Sequence, residues 1–368
     1  MGVYNMKISW FIANPIGEIQ TYILNTFNSY NSKFGGIHFD TANGEKYMGN
    51  TMPRKFYQYQ FNRVLSKTKF GNTYCYIWLK QKPVDIIHIQ HSYLFTNILP
   101  LLKFNKYPKI VVTLRGSDTY LAPWISKKWS NFYKHKSDFI NAFIVQSKDQ
   151  KDYLTKFGVK EEKIYIIPIS TPKINCLPKE IILNQRINII SAFRMTWEKN
   201  IQGNLLFIYE LKKKYPNLHY TIIGEGHDIG QVHYLVDRLG INDVVEIIAN
   251  YIPNEELKDK MHNYNYYLQL SLSESLSASV IEAQQRGLIP IVSKVGGLQD
   301  IVIDNQTGIS KESHDLDGLI NSLISIHNNP EKYKTMSHNC MQNINDNYVT
   351  EIEVSRLHKL YSNLIINR

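Results

Sequence analysis

The chain has 368 residues, 43% of them hydrophobic and 20% charged, which is long enough for two domains with full cores. No apolar run approaches the ~18 residues needed to cross a bilayer, and no basic segment leads to a small-residue cleavage site at the N-terminus, so a cytoplasmic location is expected. The formal net charge of +10 comes from one side: residues 1–180 hold 25 Lys and Arg against 11 Asp and Glu, residues 181–368 hold 17 against 21. A field of that sign attracts an anionic membrane surface, a lipid diphosphate or nucleic acid, or else serves solubility. No zinc-finger, RNP or other nucleic-acid motif is found, so nucleic acid is not expected as a partner.

In the first half, apolar runs at 7–13, 84–90, 109–114, 142–146 and 163–167 read as strands with helical stretches between them, which predicts a parallel sheet. The first strand ends in Asn14-Pro15-Ile16-Gly17-Glu18, where Gly17 lets a helix N-terminus approach a phosphate or an acceptor. His88 reads as a satisfied core histidine and His91, nearer the loop, as the better site candidate. Thr113-Leu114-Arg115-Gly116-Ser117-Asp118 ends another strand. Arg115 there can stabilise a departing diphosphate or bind an anionic acceptor, or form a structural ion pair with Asp118.

Pro168, Pro172 and Pro178 crowd a stretch without helical period and place the domain boundary between about 168 and 185. The expected division is 1–175, then 176–349, with a last helical pattern over 350–368.

The second half repeats the alternation, with strands at 187–192, 218–223, 244–248, 266–272 and 288–292. The first of these leads into a loop with Arg194 and Lys199, two cations that can meet a diphosphate, although exposed cations are common on loops. Gly224-Glu225-Gly226 follows the next strand; Ile229 stands where the dinucleotide fingerprint has its third glycine, which disfavours a nicotinamide enzyme. Asn250-Tyr251-Ile252-Pro253 follows the third.

Glu274 then falls on a loop at the carboxyl end of a strand, and Glu282 inside a helix over 278–286 that stops at Gly287. The start of that helix, at Ser275-Leu276-Ser277, offers unpaired N–H groups to a phosphate. Carboxylates beside such a site suit sugar and ribose hydroxyls, so the pair points to a nucleotide carrying a polyol. Gly296 and Gly297 let backbone approach a ligand closely, and 304–308 reads as a turn. Cys75, Cys176 and Cys340 lack C-x-x-C spacing and read as reduced structural thiols. No metal-ligand cluster stands out.

Glu274, Glu282, Gly287, Pro290, Gly296, Gly297 and Gly308 are spaced as in the donor region of retaining glycosyltransferases of family 4, which the chain resembles. It departs from that pattern at Ser275-Leu276-Ser277, where relatives have Gly-Phe-Gly, at Arg115, where they have His, at Ala192-Phe193, where a Gly precedes the Arg, and at Glu18, where a second Gly is usual.

The resemblance implies an α/β protein of GT-B fold, two Rossmann-like domains facing each other across a cleft, with the helix near 350–368 packing back on the first. It implies retaining transfer of a sugar from a nucleotide diphosphate sugar to a hydroxyl acceptor, saccharide or lipid-linked, in cell-surface polysaccharide assembly. Arg194 and Lys199 would neutralise the leaving diphosphate with Arg115 assisting, Glu274 would hold donor-sugar hydroxyls and Glu282 the ribose. Gly17, Gly224, Ser275, Leu276 and Ser277 would line the donor, and His91 and Asp118 the acceptor side. No cofactor besides the donor, no metal and no nucleic acid are implied, and a peripheral place on the inner face of the membrane is expected. Two alternatives stay open: a nucleotide-sugar epimerase of the same fold, and a homologue that binds nucleotide sugar without turnover.

Overall fold

The computed structural model describes residues 6–12, 20–41, 84–95 and 108–366. The chain divides into two compact units, residues 1–169 with 350–368, and residues 170–349. In the first unit, strands β1 (Ile8–Ile12), β2 (Ile37–Thr41), β3 (Ile86–Ile89), β4 (Lys109–Thr113), β5 (Ala142–Val145) and β6 (Ile164–Ile166) form a parallel sheet in the order β2-β1-β3-β4-β5-β6. Runs of Ile, Val and Phe suit strands covered on both faces. Their alternation sends Phe11, Ile87, Ile89, Val112 and Phe143 to one core, and Ile8, Trp10, Ile86, Val111 and Ile144 to another.

The second core is closed by the helix Thr350–Ile366, which contributes Val354, Leu357, Leu360, Tyr361 and Ile365. That helix lies along the helix Thr21–Lys33, where Thr26 donates to Glu353 at 2.9 Å.

His88 reaches into this core from β3 and is fully covered. Trp10 Nε1–H donates to the Tyr361 hydroxyl at 3.1 Å, so that hydroxyl turns its own proton to His88 Nδ1 at 2.5 Å. Gln90 Nε2 also donates to Nδ1, at 3.2 Å. Nδ1 is therefore the acceptor, and the ring proton sits on Nε2 and is donated to Thr113 Oγ1 at 2.6 Å.

Burial, with Arg115 nearby, pushes the His88 pKa from 6.5 down to about 3. The unfolded chain therefore binds a proton in that window that the folded chain refuses. Stability from this group is full above pH 6.5 and falls with acid, by about 1.4 kcal/mol per pH unit. Urea midpoints at pH 7 and pH 5 should differ less in His88→Gln than in the wild type, and an unchanged difference would exclude His88 as the cause.

In the second unit, β7 (Ile187–Ala192), β8 (Leu218–Ile223), β9 (Val245–Ile248), β10 (Tyr266–Gln269), β11 (Ile289–Ser293) and β12 (Ile309–Lys311) form a parallel sheet in the order β12-β11-β10-β7-β8-β9. Counted from β7 this is the dinucleotide-fold order 3-2-1-4-5-6, whose direction reverses between β7 and β10. One large core holds Ile187, Ile189, Leu205, Phe207, Ile222, Leu268, Ile291 and Leu323.

β2 and β12 were not expected from the sequence, and β10 is shorter than the predicted strand over 266–272. Beyond Gln269 the next backbone donor, Leu270 N–H, goes to Asn204 Oδ1 at 3.1 Å, which ends the ladder. Cys340 is buried and donates to the Thr307 carbonyl at 3.0 Å, Cys176 is a free thiol, and Cys75 lies outside the described residues.

Candidate functional site

In an open parallel sheet a ligand crevice forms outside the carboxyl ends of the strands where their order reverses. Between β7 and β10 that crevice is built by the loops after Ala192 and after Gln269. Leu272 N–H donates to the Glu198 carbonyl at 2.8 Å and ties the two loops together. The first loop turns through a short 3-10 segment, Trp197–Lys199, into Asn200, held at φ 50° in the left-handed region. Asn200 caps the helix Ile201–Lys214 through Gly203 N–H at 3.1 Å. One turn on, buried Asn204 donates to the carbonyls of Lys199 and Asn200, both at 2.8 Å, and accepts from Leu270.

This scaffold places the Lys199 ammonium directly on the Glu274 carboxylate, with both side chains largely covered. Gln269 Nε2 donates to the same Glu274 oxygen at 2.9 Å and to Ser271 Oγ at 3.0 Å. Ser277 donates to Gln269 Oε1 at 2.8 Å and caps the helix Ala278–Gln285 by accepting from Val280 N–H at 3.4 Å. The cation, the carboxylate and the positive end of a helix thus share one hydrogen-bonded network. Ser275, Leu276 and Ser277 are buried side chains at that helix start. A ligand at this helix start would meet backbone N–H groups rather than these side chains.

Gly296 and Gly297, read from sequence as points of approach to a ligand, approach Glu274 itself. Gly297 N–H donates to the Glu274 carbonyl at 3.0 Å. At Gly296, φ +47°, an added Cβ would lie 1.8 Å from that carbonyl oxygen.

Beside the network, a cavity of about 490 Å³ opens at the carboxyl ends of β7, β8 and β9. Phe193, Ile223, Tyr251, Ile252 and Leu257 give it an apolar lining, with Arg194 and the peptide groups of Gly224 to Gly226. Its size is that of a small-ligand site. Gly224 forms its wall because the backbone there lies on the preceding loop: at φ +146° an added Cβ would be 2.0 Å from the Phe193 carbonyl oxygen. Arg194 is exposed and reaches Glu198 at 3.7 Å, a loose pairing that leaves it available to a ligand.

Glu282 accepts from Asn254 Nδ2 at 3.2 Å, on the short helix Asn254–Lys260 that also carries Leu257. Burial pushes its carboxyl up, while the Asn254 hydrogen bond and the charges of Lys258 and Arg286 hold it down and Glu255 adds to the rise. Sequence reasoning missed Tyr267, whose hydroxyl donates to the Ala192 carbonyl at 2.8 Å and accepts from Ala192 N–H at 3.2 Å. Burial raises the phenol and the charges of Glu282 and Glu274 add to the rise, while hydrogen bonds with Ser279 and Ala192 hold it down. The usable signal was a tyrosine inside a buried parallel strand, whose hydroxyl must find a partner.

The first unit's candidates are placed differently. The Arg115 guanidinium donates to Gln90 Oε1 at 3.0 Å and lies 4.9 Å from the Tyr22 ring centroid. Asp118 does not hold that guanidinium. Its carboxylate accepts the backbone N–H groups of Arg115 (2.9 Å) and Gly116 (2.9 Å), and also Ser92 Oγ–H, so its oxygens fix the loop rather than point outward. Burial, with Arg115 adding to it, lowers the His91 pKa to about 4, so the ring is neutral at neutral pH. Gly17 lies outside the described residues.

Asp315-Leu316-Asp317 has the spacing of a metal-binding pair, but Asp315 caps the helix Leu316–His327 and Asp317 pairs with Lys214 at 2.6 Å. Among the described residues no group of three or more His, Cys, Asp and Glu is placed to hold a metal ion.

Residues 177–342 match the family described as glycosyl transferases group 1, and residues 48–169 match Glycosyltransferase Family 4. The chain is 26% identical over 186 residues to the UDP-N-acetylglucosamine-peptide N-acetylglucosaminyltransferase GtfA subunit of Streptococcus parasanguinis, covering 49% of this chain and 34% of that protein. It is 24% identical over 315 residues to the UDP-Gal:alpha-D-GlcNAc-diphosphoundecaprenol alpha-1,3-galactosyltransferase of Escherichia coli, covering 80% of this chain and 79% of that one. Sucrose-phosphate synthase from Thermosynechococcus elongatus superposes with a TM-score of 0.79 at 16% identity, over 99% of this chain and 100% of that one. The chain spans about a third of the length of several curated relatives that it matches, the GtfA subunit among them. Two parallel-sheet Rossmann-like units and structural neighbours of the same build give the chain the GT-B fold, and a glycosyltransferase family model matches part of each unit.

Proposed function

We propose that this chain transfers a sugar from a uridine diphosphate sugar to a hydroxyl acceptor, with retention at the anomeric carbon. The observation that carries the reading is the network of Lys199, Glu274, Gln269 and the Ser277-capped helix at the strand-order reversal, beside the apolar cavity rimmed by Arg194. The cavity suits a flat base, and Glu282, held by Asn254 beside it, suits ribose hydroxyls. Arg194, Lys199 and the helix start would then meet the diphosphate, and Glu274 the sugar hydroxyls. UDP is the nucleotide named for both curated relatives.

Lys199 and Arg194 supply the positive charge where negative charge grows as the diphosphate leaves. No carboxylate is assigned as a covalent nucleophile, and the reading is front-face displacement, in which the leaving phosphate oxygen helps take the acceptor proton. The reaction as proposed uses no cofactor and no resident metal. The acceptor is a saccharide, free or lipid-linked, in assembly of a cell-surface polysaccharide. A lipid-linked acceptor would bring the basic first half to the inner face of the membrane, and no helix among the described residues is long and apolar enough to cross it.

Incubation with a panel of UDP-hexoses should give slow enzyme-dependent release of UDP without an acceptor, and NMR of a transfer product should show the donor's anomeric configuration. An altered sugar still joined to UDP would instead identify an epimerase, an inverted product would remove retention, and binding of UDP without release would leave a non-catalytic homologue.

A further inference from the structure

In the first unit the short helix Ala122–Ile125 carries two neighbouring large apolar side chains in solvent, Trp124 at 68% exposure and Ile125 at 85%. The next helix, Lys127–Lys136, holds Lys127, Lys128, Lys134, His135 and Lys136, and residues 119–137 contain no acidic residue. Phe132 and Tyr133 are that helix's buried side, while Lys127 and Lys134, two turns apart, share an outward side.

Trp124 is braced rather than loose. Its Nε1–H donates to the Tyr153 hydroxyl at 3.0 Å, and its ring meets Phe157 edge-on at 5.5 Å. Tyr120 packs on Tyr153 at 5.1 Å, and Lys156 lies 4.6 Å from the Tyr153 ring centroid. The nearby acids are engaged, Asp149 by Tyr120 at 2.7 Å and Asp152 by Lys148 at 2.6 Å.

We infer that Trp124 and Ile125, with Lys127 and Lys128 beside them, form a wedge that inserts into the headgroup layer of an anionic phospholipid leaflet. Side chains this exposed would have to be accepted by a rigid protein partner in a matching pocket. A bilayer supplies at once a deformable apolar interior and a negatively charged surface. Trp and Tyr with hydrogen-bonded polar ends suit the boundary between those layers. Each lysine near such a surface adds about five-fold in affinity, and no inserted helix is needed. The inference rests on the membrane location in the reading above and names its contact element; its test does not depend on turnover.

Flotation with vesicles of phosphatidylcholine containing about 30% phosphatidylglycerol, beside pure phosphatidylcholine, makes the measurement. The wild type should bind the anionic vesicles alone and leave them near 1 M salt, where the Debye length is about 3 Å. Trp124→Ser with Ile125→Ser should weaken binding at least ten-fold, and Lys127→Gln with Lys128→Gln about 25-fold. Both pairs should remain folded and keep UDP-hexose hydrolysis.

Equal binding to both vesicle types, no binding to either at low salt, or wild-type binding by the Trp124 and Ile125 pair would each overturn the wedge. So would binding of poly-glutamate, with none to vesicles, that tracks the four substitutions. Vesicle binding by a protein that hydrolyses no UDP-hexose would remove the catalytic reading and leave the wedge standing.

Discussion

Lys199→Ala should lower transfer by about 10²-fold or more, the loss seen when one preorganised charge stabiliser is removed from a reaction that expels an anion. The same change strips Glu274 of its cationic partner in a largely covered pair. Breaking such a pair from one side costs about 3 to 5 kcal/mol, so the single variant should also melt lower. Removing both charges separates the two effects. Lys199→Met with Glu274→Gln leaves no unpaired buried charge, and its melting temperature should recover while turnover stays at least about 10²-fold down. Glu282→Gln should instead weaken binding of free UDP, because Glu282 belongs with the cavity. Near-normal turnover in folded Lys199→Ala would remove Lys199 from the reaction.

Gly296→Ala should lower transfer by about 10²-fold or more without replacing any side chain proposed to contact the substrate. The φ of +47° alone is a modest strain, of order 1 kcal/mol for a residue with a Cβ. The decisive term is the 1.8 Å approach to the Glu274 carbonyl oxygen, which forces one of the two backbones to move. A shift of about 1 Å in a catalytic group is enough for a 10²-fold loss. Calorimetry should show the second unit still folded, with UDP affinity changed less than turnover. Full activity in Gly296→Ala would show that the loop around Glu274 has no fixed position to lose.

Much of the sheet framework is legible in the chain because buried parallel strands are written as runs of Ile, Val and Phe. The edges are not. β2 alternates Ile37 and Phe39 with His38 and Asp40, and β12 has three residues, so neither rises above a loop pattern. β10 was read too long because Leu270 and Leu272 continue the apolar alternation, while the side chain of Asn204, 66 residues earlier, takes over the next ladder bond.

The same limit applies to the site. Arg194, Lys199, Glu274 and Glu282 stand out locally, each at the end of a strand or early in a helix. That Lys199 lies on Glu274 depends on β7 and β10 being neighbours, which no local spacing contains. Asp118 shows the same limit: a carboxylate on the loop after a strand reads as a ligand-facing group, and only the structure shows its own loop offering it two backbone donors.

The helix Thr350–Ile366 closes the core of Trp10, Phe27, Tyr30 and Phe39, yet the whole second unit intervenes in the chain before it. On a ribosome the second unit is contiguous and can finish as soon as it emerges. The first unit emerges earlier and waits, with Trp10 and His88 lacking the Tyr361 hydroxyl that joins them, for some 180 residues of synthesis. At roughly 5 to 20 residues per second that interval lasts on the order of ten seconds or more, during which part of an apolar sheet face stands uncovered. The order of completion is thus the reverse of the order of synthesis, and the unit most exposed to aggregation or chaperone capture is the one made first.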